Sequence, residues 1–462
     1  MKVRTRVPRR AEGASRAKRI STLGRTAGIG CAAAALAGAL TAAGAGVASA
    51  APAKITLTWW TWTTNPEKVI ANFEKAYPYI TVKPPPDYGS GATFYTKLTT
   101  ALASGTAPCV TQIELDHLPQ FLAEHALVPI TKYVASLKKD FPTWVWNQVM
   151  QNGQVYAVPE DIGPMGLMYQ PAVFKKYHLP VPTTWTQFAS DAVALHKADP
   201  NMYLTYFAPN DGDLQESLWW QAGAQPYHLL SNGTWVIDID GPIEQKVMTF
   251  WGKLVQEGAV AVDQDFEPAW SHHIAEDRYA AMIGAAWSPT YEVDAYLPAN
   301  STQVWAVTQI PQWTPGAHAD ANWGGSTNAI TKDCPSNLVK YGALFASYIN
   351  TSKSGLEIDE KPATPAGGGR GLFPASLARA SVPAFNAPIP HFIGDVNEEF
   401  SKFASEVNTN FEWSPFDSEV TTFLTDEMGK AAAGKEPWSQ VLVNTENEVL
   451  SYARSAGFSV EK

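Results

Sequence analysis

The sequence predicts an α/β fold built around a parallel sheet, and three observations carry the prediction. Apolar, β-branched runs at 55–60, 80–82 and 110–114 alternate with helically spaced segments inside about 60 residues, the pattern of strand-helix-strand units. With 462 residues, 45% apolar and 17% charged, the chain can bury a sizeable core and falls outside the disordered class. No repeat recurs at a fixed period, which argues against solenoids and propellers. The length alone suggests two or three domains.

Each element has its own signal. Residues 55–60, ITLTWW, form a strand, and 65–76 a helix, with Val69, Ile70, Phe73 and Tyr77 on one face and Pro78 as the stop. Ile80, Thr81 and Val82 make a second strand, ended by three prolines at 84–86. Phe94, Leu98, Ala101 and Leu102 mark a second helix closed by Gly105, and 110–114 is the third strand. Ligands of such sheets bind beyond the carboxyl ends of the strands, here residues 59–64 and 114–117. Helices are expected at 185–196, 214–222, 243–257 and 278–282. A turn-rich stretch at 311–320 precedes a strand at 327–330 and a helix at 338–348. A Pro/Gly-rich passage, 361–374, leads into a helical C-terminal region.

Charge narrows the function. The first 50 residues hold nine basic residues and one acidic one, leaving 25 basic and 43 acidic residues and a charge of −18 beyond them. Such a surface repels phosphate backbones and anionic membranes, so nucleic acid is not an expected partner. The first 50 residues read as a signal peptide: Lys2 to Arg25 basic, 29–47 an uncharged Ala/Gly/Leu run, then Ala48-Ser49-Ala50 before the expected cleavage. Cys31 precedes most of the apolar run and Gly28-Ile29-Gly30 lacks the usual Leu before it, so a lipid anchor at Cys31 is not expected. No later stretch approaches 18 uncharged apolar residues, and the mature chain is expected to be exported and extracellular or cell-surface associated. Only Cys109 and Cys334 follow residue 50, too few for a disulfide-built scaffold or a multi-Cys metal site.

Enzyme signatures mostly fail. Ser136-Leu137-Lys138-Lys139 fits Ser-x-x-Lys but has no Lys-Thr-Gly companion, and neither His-Glu-x-x-His nor Gly-x-Ser-x-Gly occurs. The glycines around Arg370 are followed by no Lys-Ser or Lys-Thr and match no phosphate loop. His272, His273, Glu276 and Asp277 read as a solvated helix face rather than a metal site. A secreted glycoside hydrolase, which needs only two carboxylates in a Trp-rich acidic chain, is the rival in another class.

The order of segments resembles the extracellular solute-binding proteins of bacterial sugar uptake systems, the group that includes maltose-binding proteins. ITLTWWTW followed by FEKAYPYITV resembles the family's first strand, helix and second strand, and FYTKLTTALASGTAPCVTQIE its second helix and third strand. YAVPEDIGPMGLMYQPAVFKKYHLPVPTTW is similar to the crossing into the second lobe, RYAAMIGAAW to the Ala-Met and Trp segment, WGGSTNAI to the return, and AAAGKEPWSQVL to the final helices. Cys109, Gln170 and Arg278 depart from the usual Asp, Asn and Gly. The resemblance implies a two-lobed type II periplasmic-binding-protein fold with a three-crossing hinge near Glu160, Asn322 and Gly368. Lobe 1 would be 54–160 plus 323–368 and lobe 2 161–322 plus 369–462. It further implies a non-enzymatic monomer that binds a carbohydrate, an oligosaccharide, and delivers it to the permease subunits of an ABC importer, with no cofactor and no metal.

All seventeen Trp follow residue 50, and a flat indole matches the C–H face of a sugar ring as carboxylates match its hydroxyl rim. Trp60 and Trp62 share one side of the first strand's end, opposite Trp59, and are expected to face the ligand. Trp219, Trp220, Trp287 and Trp413 are the aromatic platforms the resemblance implies and Trp323 is a further expected ligand-binding residue, while Trp144, Trp146, Trp235, Trp251 and Trp305 are expected in the core. Asp116, Glu160 and Asp161 are the expected hydroxyl acceptors and Arg370 the donor. The family's antiparallel return strand would bring Cys334 beside Cys109, so a disulfide between them is expected.

Overall fold

The structure, a computed structural model, describes residues 54–86, 89, 91–363 and 368–462. The expected signal peptide over 1–50, with Cys31, lies outside them. No helix among the described residues is long and apolar enough to cross a membrane.

Alternation builds the first sheet. Strand β1 (Ile55–Trp60) buries Leu57 and Trp59 and turns Trp60 to the half-buried side. Helix α1 (Pro66–Ala76) begins on a proline, where no N–H is needed, and buries Val69, Ile70 and Phe73. Strand β2 (Ile80–Lys83) alternates buried and exposed residues, and α2 (Gly91–Ser104) leads to β3 (Val110–Glu114), buried over its first four residues as a central strand is. Helix α3 (Leu118–Ala123) follows at once. Both β2 and β3 run parallel to β1.

Beyond β4 (Ala157–Pro159) the chain enters a second sheet at β5 (Met165–Tyr169). Five helices precede the next strand of that sheet, and three of them are long. The long ones are α4 (Trp185–Ala198), capped by the Thr184 hydroxyl; α5 (Gly212–Ala222), capped by the Asp211 carboxylate through Leu214 N at 2.7 Å; and α6 (Pro242–Gln256). Strands β6 (Ala281–Ala285) and β7 (Ala306–Gln309) pair antiparallel with opposite edges of β5. The helix expected at 278–282 is therefore corrected to the entry of strand β6: five consecutive buried residues, AMIGA, are as compatible with a buried strand as with a helix turn, and pairing decides.

The chain then returns. Strand β8 (Ser326–Ile330) inserts antiparallel between β3 and β4, giving the order β2-β1-β3-β8-β4. Because Ile330 pairs with Val110, the residues just before β3 and just after β8 share one end, and Cys109 and Cys334 are joined there by the expected disulfide. Helix α7 (Val339–Thr351) packs on β8 and β4 of this sheet, α8 (Lys353–Asp359) packs on α7 and α1, and α9 (Asp417–Ala432) and α10 (Trp438–Ser455) pack on each other.

Three connecting passages lie side by side between the sheets. Glu160 N donates to Ser326 O (2.8 Å), Ile162 N to Phe373 O (3.0 Å), Trp323 N to Gly163 O (2.8 Å) and Ala375 N to Glu160 O (2.9 Å). The approach is so close at Gly163 that a Cβ would stand 1.9 Å from Trp323 O. Gly325, at φ +87°, adopts a backbone that L side chains rarely take.

Candidate functional site

Two groups of buried charge lie near these passages. The first is centred on Arg370, fully buried, whose Nη1 lies 2.6 Å from Glu160 Oε1 and 2.9 Å from Asp359 Oδ1. Its Nε and Nη2 donate to Thr63 Oγ1 at 2.8 and 2.5 Å. The Ser326 hydroxyl lies 3.0 Å from Glu160 Oε2 and 2.5 Å from Asp161 Oδ1, Ser326 N donates to Asp161 Oδ1 (2.9 Å), and Gln112 Nε2 donates to Ser326 Oγ (2.8 Å). Burial, helped by the Glu160 charge, pushes Asp161 up to about 6. Three of the expected ligand groups, Glu160, Asp161 and Arg370, are thus brought together, with Glu160 and Arg370 bonded to each other and to the passages that join the sheets.

The second group gathers where the carboxyl ends of β1 and β3 meet the N-termini of α5 and α9. Tyr95 OH donates to Glu114 Oε2 (2.8 Å), accepts from Glu114 N (3.0 Å), and its ring stacks on His117 at 4.0 Å. Asp116 Oδ1 receives His117 N (2.7 Å) and approaches His117 Nδ1 at 3.0 Å. Burial disfavours the imidazolium, but the Asp116 carboxylate outweighs it and His117 is pushed up to about 9. Burial, then Asp116, pushes Glu114 up to about 7. Single carboxylate oxygens of Asp116, Asp213 and Asp417 all lie within 4.8 Å of one another. Glu216 is beside them, pushed up to about 8 by burial, with Tyr227 OH donating to it. Further along, burial and then the Asp265 charge hold Asp211 well above the carboxylate range, and fully buried Glu292 is raised by burial as well.

Aromatic rings border this acidic floor. Half-buried Trp62 meets Phe94 (4.9 Å) and Tyr95 (6.1 Å) edge-on. Half-buried Trp287 donates Nε1 to Trp323 O (3.2 Å), tilts against the buried Trp323 ring at 4.9 Å, and stands near Tyr291 (6.2 Å) and the exposed Phe266 (6.5 Å). Tyr291 is raised by burial, with smaller contributions from Tyr296 and Glu114. Trp60, half-buried, packs against the core edge. Trp220 is enclosed: it stacks on Phe411 at 4.7 Å, meets Trp413 and Trp144 edge-on, and donates to Asn408 O. Trp219 is fully buried and Trp413 nearly so. Of the Trp expected in the core, Trp144, Trp146, Trp251 and Trp305 are buried, and Trp235 is only half-buried.

Sequence reasoning included Glu114 and His117 only within the strand-end range 114–117, and missed Tyr95, Asp211, Asp213, Glu216, Asp265, Glu292 and Asp417. Asp-Gly-Asp at 211–213 carried a signal, as acidic residues opening a helix, but that pattern is ordinary capping wherever the helix points.

Residues 59–345 match the bacterial extracellular solute-binding protein family. Over 212 residues the chain is 26% identical to an uncharacterized ABC transporter extracellular-binding protein of Pyrococcus horikoshii, a match that takes in 43% of this chain and 47% of the relative's length. Among solved structures, the ABC transporter associated binding protein of B. animalis subsp. lactis Bl-04 in complex with beta-1,6-galactobiose is 25% identical with a TM-score of 0.76, covering 88% of this chain and 100% of the other. The galacto-N-biose-/lacto-N-biose I-binding protein of the ABC transporter from Bifidobacterium longum, in complex with lacto-N-biose, is 22% identical with a TM-score of 0.77, covering 88% and 99%. The two sheets and their three joining passages are those of a type II periplasmic-binding-protein fold.

Proposed function

The chain belongs to the bacterial extracellular solute-binding proteins, and from that premise we propose that it binds an oligosaccharide between two lobes and delivers it to the permease subunits of an ABC importer. Lobe 1 is 54–160 plus 323–368 and lobe 2 is 161–322 plus 369–462; the protein is exported and acts as a monomer without catalysis. The observation that supports the proposal is a set of carboxylates with half-buried indoles around it: Asp116 meets Asp213, Glu114 is bonded by Tyr95, Trp62 packs on that Tyr95 ring, and Trp287 stands near Tyr291. Ionised carboxylates accept from two hydroxyls at once, and an indole face covers the C–H face of a pyranose. Trp62 and Trp287 are the platforms of this proposal and Asp116 its principal acceptor. Glu160, Asp161 and Arg370 act at one remove, by fixing the hinge on which the lobes close. Sugar then shifts the hinge equilibrium toward the closed form that the permease reads.

A thermal-shift screen across mono- and oligosaccharides tests this. A ligand at 100 times its dissociation constant raises native stability by about 2.7 kcal/mol. The labelled form of the best ligand is expected to be retained stoichiometrically and recovered intact; its cleavage would overturn the proposal in favour of a glycoside hydrolase.

A further inference from the structure

Asp116, Asp213 and Asp417 come from three separate elements: the end of β3, the first turn of α5 and the first residue of α9. Their three oxygens lie within 4.8 Å of one another. Oxygens that share one calcium ion, each at 2.3–2.6 Å from it, stand at most about 5 Å apart, so this spacing is that of a ligand set. A second observation is independent of the spacing. Asp417 is fully buried and, apart from the carboxyl of Glu216 against it, neither of its oxygens receives a hydrogen-bond donor; the buried Oδ1 of Asp213 receives none either. Both hydrogen bonds to Asp116 land on Oδ1 and come from His117. That imidazole also faces the group, with Nδ1 3.9 Å from Asp417 Oδ2.

Helix N-termini ease the local charge of Asp213 and Asp417, as they would for any acidic first turn. They do not explain why the two converge on a third carboxylate with so few donors supplied. Removing one carboxylate from water without partners is costly, and gathering four beside a single imidazole multiplies that cost. A doubly charged ion would offset it.

We infer that Asp116, Asp213 and Asp417, with Glu216 behind them, form a binding site for a divalent cation of the calcium class, which pins the end of β3 to helices α5 and α9. Calcium fits better than magnesium. Ligands from three elements give an irregular oxygen set, which calcium accepts and which magnesium, with its strict octahedron and tightly held waters, does not. This departs from the expectation of a metal-free protein, and the ion adds a second ligand to the cleft alongside the proposed saccharide.

Calorimetric titration of CaCl2 into the chelator-stripped full chain tests the inference. Saturable binding of a single ion is expected, with MgCl2 weaker by about tenfold or more. Asp213→Asn and Asp417→Asn should each weaken calcium by about tenfold or more while retaining the wild-type far-UV circular dichroism. Absence of saturable calcium binding, or binding unchanged in both folded variants, overturns the site. The titration contains no sugar, and the saccharide screen is run in chelator, so the cation site and the carbohydrate proposal fail separately.

Discussion

The hinge and the cleft both bury ionised groups, but they balance them differently. At the hinge, a fixed cation faces the acids: Arg370 meets Glu160 and Asp359 and donates from Nε and Nη2 to Thr63, even though Asp359 Oδ2 receives no donor. In the cleft, Asp116, Asp213, Glu216 and Asp417 face one imidazole, and several of their oxygens receive no donor. A charged group that meets its partners inside the protein holds the protein together. One that does not is stable only with protons, a cation or a ligand's hydroxyls. The contrast separates architecture from site more sharply than burial does, since the residues in both groups are largely hidden.

Substitution should therefore move the two groups in opposite directions. The largest effect belongs to the hinge: Arg370→Met strands Glu160 and Asp359 and should lower stability by about 3–5 kcal/mol in urea unfolding. A loss under 1 kcal/mol would mean that the clasp is not a balanced unit. At the cleft's border, Trp287→Ala should leave the fold intact and weaken saccharide binding by about 1–4 kcal/mol, read by calorimetry. Unchanged affinity would return Trp287 to the core.

The hinge also predicts a dependence on pH. Asp161, raised from 3.8 to about 6 by burial first and the Glu160 charge second, keeps its proton in the folded state where the unfolded chain has lost it. Its stabilisation is full below the unfolded value and is lost as pH rises through about 6, a change on the order of 3 kcal/mol in all and about 2 kcal/mol above pH 4.5. The unfolding free energies in urea at pH 4.5 and 7 should differ by about 2 kcal/mol less in Asp161→Asn than in the wild type; equal differences would sink the assignment. The smallest effect has the opposite sign to the first. In chelator, Asp417→Asn removes one of four crowded carboxylates and should raise stability by about 1 kcal/mol, partly offset by the lost helix N-terminus interaction. A clear loss of stability would place Asp417 among the balanced charges.

How much of this was legible depends on the range over which each signal acts. The alternation from Ile55 to Glu114 was readable because strand period, helix period and proline stops are local. The strand Ala281–Ala285 was not, because five buried residues have no period of their own and its partners lie over 100 residues away. Asp116 and Trp62 were singled out from their place at strand ends. Asp213 and Asp417 were not, since an acidic residue in a helix's first turn is ordinary and only the fold brings the two to Asp116. Arg370 was expected as a donor to the ligand, whereas its pairing with Glu160, 210 positions away in sequence, is a property of the hinge passages, which no local window contains.

The place of β8 in the first sheet bears on how the chain assembles. Strands β1, β2 and β3 are near neighbours in sequence and can pair early, but the strand that fills the gap between β3 and β4 arrives only after the whole second sheet has been made. Until then the edge of β3 is an open row of unpaired amides, a template for wrong partners as well as right ones. Closing it brings together positions as distant as Cys109 and Cys334, 225 residues apart, a contact of high order that makes for slow folding. The disulfide records the completion of that step: it can form only once β8 has taken its place, and thereafter the last strand to arrive is the one covalently tied to its neighbour.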